Sequence, residues 1–210
     1  MKGDPFPDNS RSFDLKRENS VLQIRIHGRG GQGVVTAAEI LSISAFLDGK
    51  YAQAFPSFGS ERMGAPVTAF CRIDEKEIRL REPVSEPDAL IIQDTTLLHH
   101  VDLFSGLKST GTVLINSTRS LEELRIEVLL TRFPSERLWT VPASEIARRH
   151  LGRPMPNAAL IGGFAAITGR IRLASVQKAI CEKFHGRIGD ANASAAAEAY
   201  DSVESRLKPA

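Results

Sequence analysis

The sequence predicts an α/β protein: an open, mainly parallel sheet with flanking helices, a β-hairpin insertion and a helical C-terminal part. Three observations point there. A β-branched stretch near the start breaks into glycines and passes directly into a helical period. Apolar runs within residues 89–94 and 112–116 suit parallel strands buried on both faces. From Pro156 onward only helical stretches occur.

The elements follow in chain order. Residues 1–20 are polar and have no apolar period, so they read as a tail ahead of a single α/β domain over residues 21–210. Residues 21–26 alternate as a strand, and residues 28–33 break it. Val34, Ala37, Ala38, Leu41 and Ala45 then recur at helical spacing, stopped by Asp48-Gly49-Lys50. Residues 51–55 form a short strand and 56–64 a loop. Residues 67–73 and 78–81 flank Asp74-Glu75-Lys76-Glu77 and read as a hairpin. The strand over 89–94 ends in Gln93-Asp94, which should lie at the carboxyl edge of the sheet. Residues 96–107 read as helix, 112–116 as strand, 121–132 as helix or short strand with turns, 139–141 as strand and 143–151 as helix. Three helices, over 157–169, 173–184 and 193–207, complete the chain.

Composition narrows the function. The chain has 210 residues, 42% hydrophobic and 25% charged, and its 27 Lys and Arg against 25 Asp and Glu leave a net charge of +2. No general grip on nucleic acid or on a membrane surface follows from that balance. Cys71 and Cys181 are far apart with no C-x-x-C, so this chain alone supplies neither a disulfide framework nor a zinc or iron–sulfur site, and both read as buried thiols. The longest apolar run, residues 158–167, is interrupted by Gly162 and Gly163 and is too short to span a bilayer. The first 20 residues lack the apolar core of a secretory signal, so the expected compartment is the cytoplasm.

His27-Gly28-Arg29-Gly30-Gly31-Gln32-Gly33 places G-x-G-x-x-G where a strand ends and a helix begins. A helix N-terminus offers unpaired N–H groups and partial positive charge, glycines let the backbone approach an anion, and Arg29 can add a charge-assisted bond. A merely tight βα turn is the alternative. A dinucleotide site wants an acidic residue at the end of the second strand; Asp48 has the spacing but lies at a helix end, and no G-x-x-x-x-G-K-[ST] occurs. A phosphate-bearing ligand other than NAD or a nucleoside triphosphate fits better.

Tyr51-Ala52-Gln53-Ala54-Phe55-Pro56-Ser57-Phe58-Gly59-Ser60-Glu61-Arg62-Met63-Gly64-Ala65-Pro66 packs aromatics, glycines and a Glu-Arg pair into one non-periodic stretch, the composition of a binding loop. An ordered loop with Glu61 and Arg62 solvated is the alternative. Together with the glycine loop, the Gln93-Asp94 strand end and Pro156-Asn157-Ala158-Ala159-Leu160-Ile161-Gly162-Gly163, this stretch resembles the gamma subunit, or equivalent fused domain, of the 2-oxoacid:ferredoxin oxidoreductases, most of all the pyruvate type. The resemblance spans roughly residues 21–190. It implies a multi-subunit enzyme that turns a 2-oxoacid and coenzyme A into acyl-CoA and CO₂, with electrons passing through iron–sulfur clusters to ferredoxin. Thiamine diphosphate and Mg would sit on alpha and beta subunits and the clusters on a delta-type chain, this chain contributing coenzyme A binding and assembly. The residues implied for coenzyme A are Gly28, Arg29, Gly30, Gly31, Gln32, Gly33, Ser57, Glu61, Arg62 and Asn157.

Other chemistry has weaker support. His27, His99, His100, His150 and His185 form no H-E-x-x-H, and His27 alone adjoins the glycine loop. Ser57, Ser60 and Ser117 have no G-x-S-x-G elbow. Arg29, Arg62 and Arg153 are phosphate candidates, while Arg148, Arg149 and Arg170 read as solvated helix faces. The second functional reading is a free-standing regulatory protein that binds a nucleotide through the same loop.

Overall fold

The computed structural model describes residues 21–57, 63–126 and 131–208. Its centre is a six-stranded sheet of β1 (Leu22–Arg29), β2 (Tyr51–Pro56), β3 (Pro66–Asp74), β4 (Ala89–Ile92), β5 (Thr112–Asn116) and β6 (Leu138–Val141), in the order β2-β3-β1-β4-β5-β6. β1, β4, β5 and β6 run parallel, and β3 runs against both β1 and β2. Ile24 opposite Ala89 and Ala89 opposite Thr112 set the register, which aligns the carboxyl ends of β1, β4 and β5.

The α-helices are α1 (Val34–Leu47), α2 (Ala143–Leu151), α3 (Asn157–Thr168), α4 (Leu173–Lys183) and α5 (Gly186–Leu207). All of them contribute to one core layer, in which Ile24, Ile26 and Ile91 of the sheet meet Leu41, Ile146, Phe164, Ile180 and Val203. The other face is covered by irregular chain, with Leu97, Leu103, Leu107, Leu124 and Phe133 packed on Leu90, Ile92, Val113 and Ile115. Strand alternation explains the split: successive residues of β4 and β5 go to opposite layers. No described helix is long and apolar enough to cross a membrane.

Four expectations are corrected. The hairpin pairs β2 with β3, and residues 78–81 form no strand. β3 already has β1 on one side and β2 on the other, so no edge remains for them. Residues 96–107 are not α-helical: a 3₁₀ turn, Thr95–His99, is followed by bends and turns. The Arg25 guanidinium donates to the Leu103 and Ser105 carbonyls at 2.8 and 2.6 Å, holding this stretch as a strap across β1. The last helix begins at Gly186 and not at 193, because Gly189, an apparent breaker, lets the chain pass the Phe184 carbonyl, which a Cβ there would approach to 2.0 Å. Cys71 is buried in β3 as expected, but Cys181 is exposed on α4. Of the ambiguous 121–132 segment, residues 121–125 are turns and 127–130 lie outside the described residues.

Candidate functional site

The glycine loop sits where β1 ends, at the carboxyl edge of the sheet. Each glycine has a local reason. A Cβ on Gly28 would lie 2.7 Å from the Val34 side chain and 3.2 Å from that of Gln93, so only glycine lets α1 start this close to the sheet. Gly31 and Gly33 have φ of 92° and 71°, in the left-handed region that favours glycine. Gly30 bonds to the neighbouring segment, its N–H donating to the Ala65 carbonyl and its carbonyl accepting from Gly64.

Two side chains of the motif are turned onto the protein itself. The Gln32 amide accepts from the Arg29 N–H and donates to Asp94, both at 2.8 Å. Arg29 donates to the Thr96 hydroxyl and the Gly64 carbonyl and lies 3.4 Å from Asp94. Burial pushes the Asp94 carboxyl up, but bonds from Thr96 and Gln32, with the Arg29 charge, outweigh it and hold the group below the usual carboxylate range. Asp94, expected only as a strand end, thus clamps the loop from the neighbouring strand.

A cavity of about 460 Å³ opens beside this clamp. Its polar rim is Arg29, Gly30, Gly31, Gly33, Thr36 and Asn157, and its walls are Val34, Val35, Met63, Val67, Met155 and Phe184. Two helices begin on it, α1 after Gly33 and α3 after Pro156. Neither cap residue supplies a side-chain bond, though within α3 the Asn157 side-chain oxygen accepts from the Ala158 N–H at 3.0 Å, and neither first turn carries an acid. Gly33 and Asn157 are so close that a Cβ on Gly33 would stand 2.6 Å from the Asn157 amide nitrogen. The cavity therefore offers free N–H groups and the positive ends of two helix dipoles to one occupant, a setting for an anion.

Asn157, remote from the glycine loop in sequence, is brought onto the same rim. Ser57 lies at the same edge, exposed, with its N–H bonded to Thr68, but does not line the cavity. Glu61 and Arg62 lie outside the described residues. Of the apolar walls, Met63 and Met155 gave no periodic signal in the sequence, and Phe184 stood only as the end of a helical stretch. His27 faces away from the cavity layer; its Nδ1 lies 3.2 Å from the Thr68 hydroxyl, and burial, with the Arg25 charge, pushes its pKa down to about 3. Asp48 is occupied by Arg172 and Ser175, an anchor between α1 and α4 rather than a ribose acceptor. His150 pairs with Glu198 across α2 and α5.

The description pyruvate ferredoxin/flavodoxin oxidoreductase attaches to a family whose model matches residues 23–202. The chain belongs to this family. The pyruvate/ketoisovalerate oxidoreductases common subunit gamma of Pyrococcus furiosus is 48% identical over 184 residues, covering 88% of this chain and 98% of that one. Pyruvate synthase subunit PorC of Methanocaldococcus jannaschii is 48% identical over 183 residues, covering 87% and 97%. The crystal structure of pyruvate oxidoreductase subunit PORC from Thermotoga maritima superposes with a TM-score of 0.73 at 33% identity, covering 86% of this chain and 96% of that one. Within the pyruvate ferredoxin/flavodoxin oxidoreductase family this chain is thus a gamma-type subunit, part of an oxidoreductase with further subunits.

Proposed function

We propose that this gamma subunit holds coenzyme A for a pyruvate or related 2-oxoacid:ferredoxin oxidoreductase and carries none of the redox chemistry itself. The observation that carries the reading is the cavity on which α1 and α3 both open with acid-free first turns, α1 with no side-chain cap and α3 with only the Asn157 side chain on the Ala158 N–H. A phosphate of coenzyme A would take N–H groups from Gly31, Gly33 and the start of α1, with the Asn157 amide as a further donor and Gly30, its own N–H bonded to Ala65, giving the anion room to approach. Arg29, already held by Asp94 and Thr96, contributes a fixed positive charge at the rim. The apolar walls, Val67, Met155 and Phe184 among them, suit the pantetheine arm. Gln32 positions the loop. Ser57, Glu61 and Arg62 extend the site from the following loop or dock the subunit onto its partners.

In this reading alpha and beta subunits hold thiamine diphosphate and Mg, a delta-type subunit holds the iron–sulfur clusters, and ferredoxin takes the electrons, in the cytoplasm. The regulatory nucleotide-binding alternative draws no support from a chain of this family.

Thr36→Glu tests the site with its two effects separated by sign. An acid in the first turn of α1 suits the helix dipole, so folding is kept, while it repels a phosphate in the cavity. In the assembled enzyme the Michaelis constant for coenzyme A should rise about tenfold or more, equivalent to about 1.4 kcal/mol, with coenzyme-A-independent exchange of CO₂ into pyruvate unchanged. An unchanged constant in a folded, assembled variant would remove coenzyme A from this cavity.

A further inference from the structure

β2 is the outer strand of the sheet, and β3 is its neighbour there. The Ser57 N–H donates to the Thr68 carbonyl at 2.8 Å, so the positions paired inward with β3 are Ser57, Phe55, Gln53 and Tyr51. The N–H and C=O groups of Ala52 and Ala54 point outward, and the N–H that Pro56 lacks falls on the same side. Among the described residues nothing bonds to this outer row. Native sheets keep such edges from pairing with charge, a bulge or proline. Between Tyr51 and Phe55 there is no charge, and the register to β3 is continuous; Pro56 closes only the end.

We propose that this edge pairs antiparallel with the same edge of a second copy of the chain, across a two-fold axis at Gln53, joining two six-stranded sheets into one. The strand reads aromatic, Ala, Gln, Ala, aromatic in either direction. An isologous contact needs that self-complementarity. The register sets Gln53 against its own copy, Ala52 against the partner's Ala54, and Tyr51 against the partner's Phe55. Ala52 and Ala54 then occupy the hydrogen-bonded positions and exchange four N–H···O bonds across the axis. Tyr51, Gln53 and Phe55 occupy the non-hydrogen-bonded positions, where side chains approach closest, so two Tyr–Phe contacts flank a pair of amides.

Alternative registers are worse. A slip by one residue opposes an outward position to an inward one and loses the bonds. A slip by two sets Ala52 against Pro56, which has no donor, or Ala54 against Lys50, whose N–H is bonded to Ala45. The side chains are also prepared for a neighbour. Phe55 is held 5.2 Å from Phe70 and under the Arg72 guanidinium, while Tyr51 is 52% exposed. On the opposite face Phe46, at the end of α1 beside the start of β2, is 73% exposed.

The full-length subunit tests this. Sedimentation should show a dimer, and hydrogen exchange at the Ala52 and Ala54 amides should slow about tenfold or more from dilute to concentrated protein. With the exposed thiol removed by Cys181→Ser, Gln53→Cys should form a covalent dimer on mild oxidation, and Tyr51→Cys, facing Phe55, should not. If Gln53→Cys loses its fold with the bond to the Ile78 carbonyl, exchange in the wild-type chain decides alone. A monomer with freely exchanging amides overturns the proposal, as does a dimer joined through Tyr51→Cys instead. Protection seen only when the other subunits are present would give the edge to a different chain and overturn it too.

Discussion

His27 sits in the interior as a neutral base, and the consequence is a pH dependence with a defined sign. Unfolded, it takes a proton near pH 6.5; folded, only near pH 3. Between these values the unfolded chain binds more protons, so stability falls as pH drops from about 6.5, by up to about 1.4 kcal/mol per pH unit for the one group. The carboxylates held low, Asp48, Asp94 and Glu198, act in a more acid window that overlaps only the lower end of this one, their contribution falling away from their unfolded values of 3.8 and 4.5 down through their folded ones. His27→Gln should flatten the stability profile between pH 6 and about 4.5, measured by urea unfolding. A slope identical to wild type would mean another group is responsible. The same scale shows what a sequence conveys about a site. Gly31 and Gly33 were legible because backbone geometry is a property of residue type. That Gln32 and Arg29 turn onto Asp94 was not, because it depends on a strand end 62 residues beyond Gln32 that sheet order sets beside the loop. Gly31→Val, with φ of 92°, would strain the loop whatever the ligand, so Thr36→Glu is the cleaner probe of the cavity.

Adjacent glycines in α3 have opposite roles. A Cβ on Gly162 would stand 2.0 Å from the Ala196 carbonyl, where α3 crosses α5, whereas on Gly163 it would meet side-chain atoms no closer than 3.4 Å. Gly162→Ala must push α5 away and should cost about 1–3 kcal/mol; Gly163→Ala keeps the packing, removes a poor helix former and should be neutral or stabilising by up to about 1 kcal/mol. Thermal unfolding that reversed this order would refute the close crossing. Elements defined by their own periodicity, such as α1, β4, β5 and α3, were readable from sequence. The strap over 95–107 was not: its leucines and valine also fit a helical period, and only the Arg25 guanidinium, from another strand, takes the carbonyls a helix would have used. The start of α5 was hidden likewise, since Gly189 looks like a breaker until the carbonyl it clears is known.

At the scale of the molecule, both faces of one sheet are covered by layers drawn from the whole chain, so we expect residues 21–208 to unfold as one unit. Trp139, the sole tryptophan, lies in β6 with Arg206 of α5 over its ring at 5.0 Å, which joins sheet and C-terminal helices in one reporter. Its fluorescence and the far-ultraviolet circular dichroism should change at the same urea concentration; separated midpoints would divide the chain into two units. The purified subunit should also be silent in pyruvate-dependent dye reduction and hold no stoichiometric iron, and activity with iron would undo the assignment of redox chemistry to its partners. The sheet order bears as well on how the chain is made. β1 is synthesised first yet lies between β3, which begins at residue 66, and β4, which begins at residue 89. A ribosome adding roughly 5–20 residues per second leaves that strand without either neighbour for seconds. Closing those long loops comes before any pairing rewards it, so the glycine loop, among the first segments made, waits for residue 94 before its clamp exists.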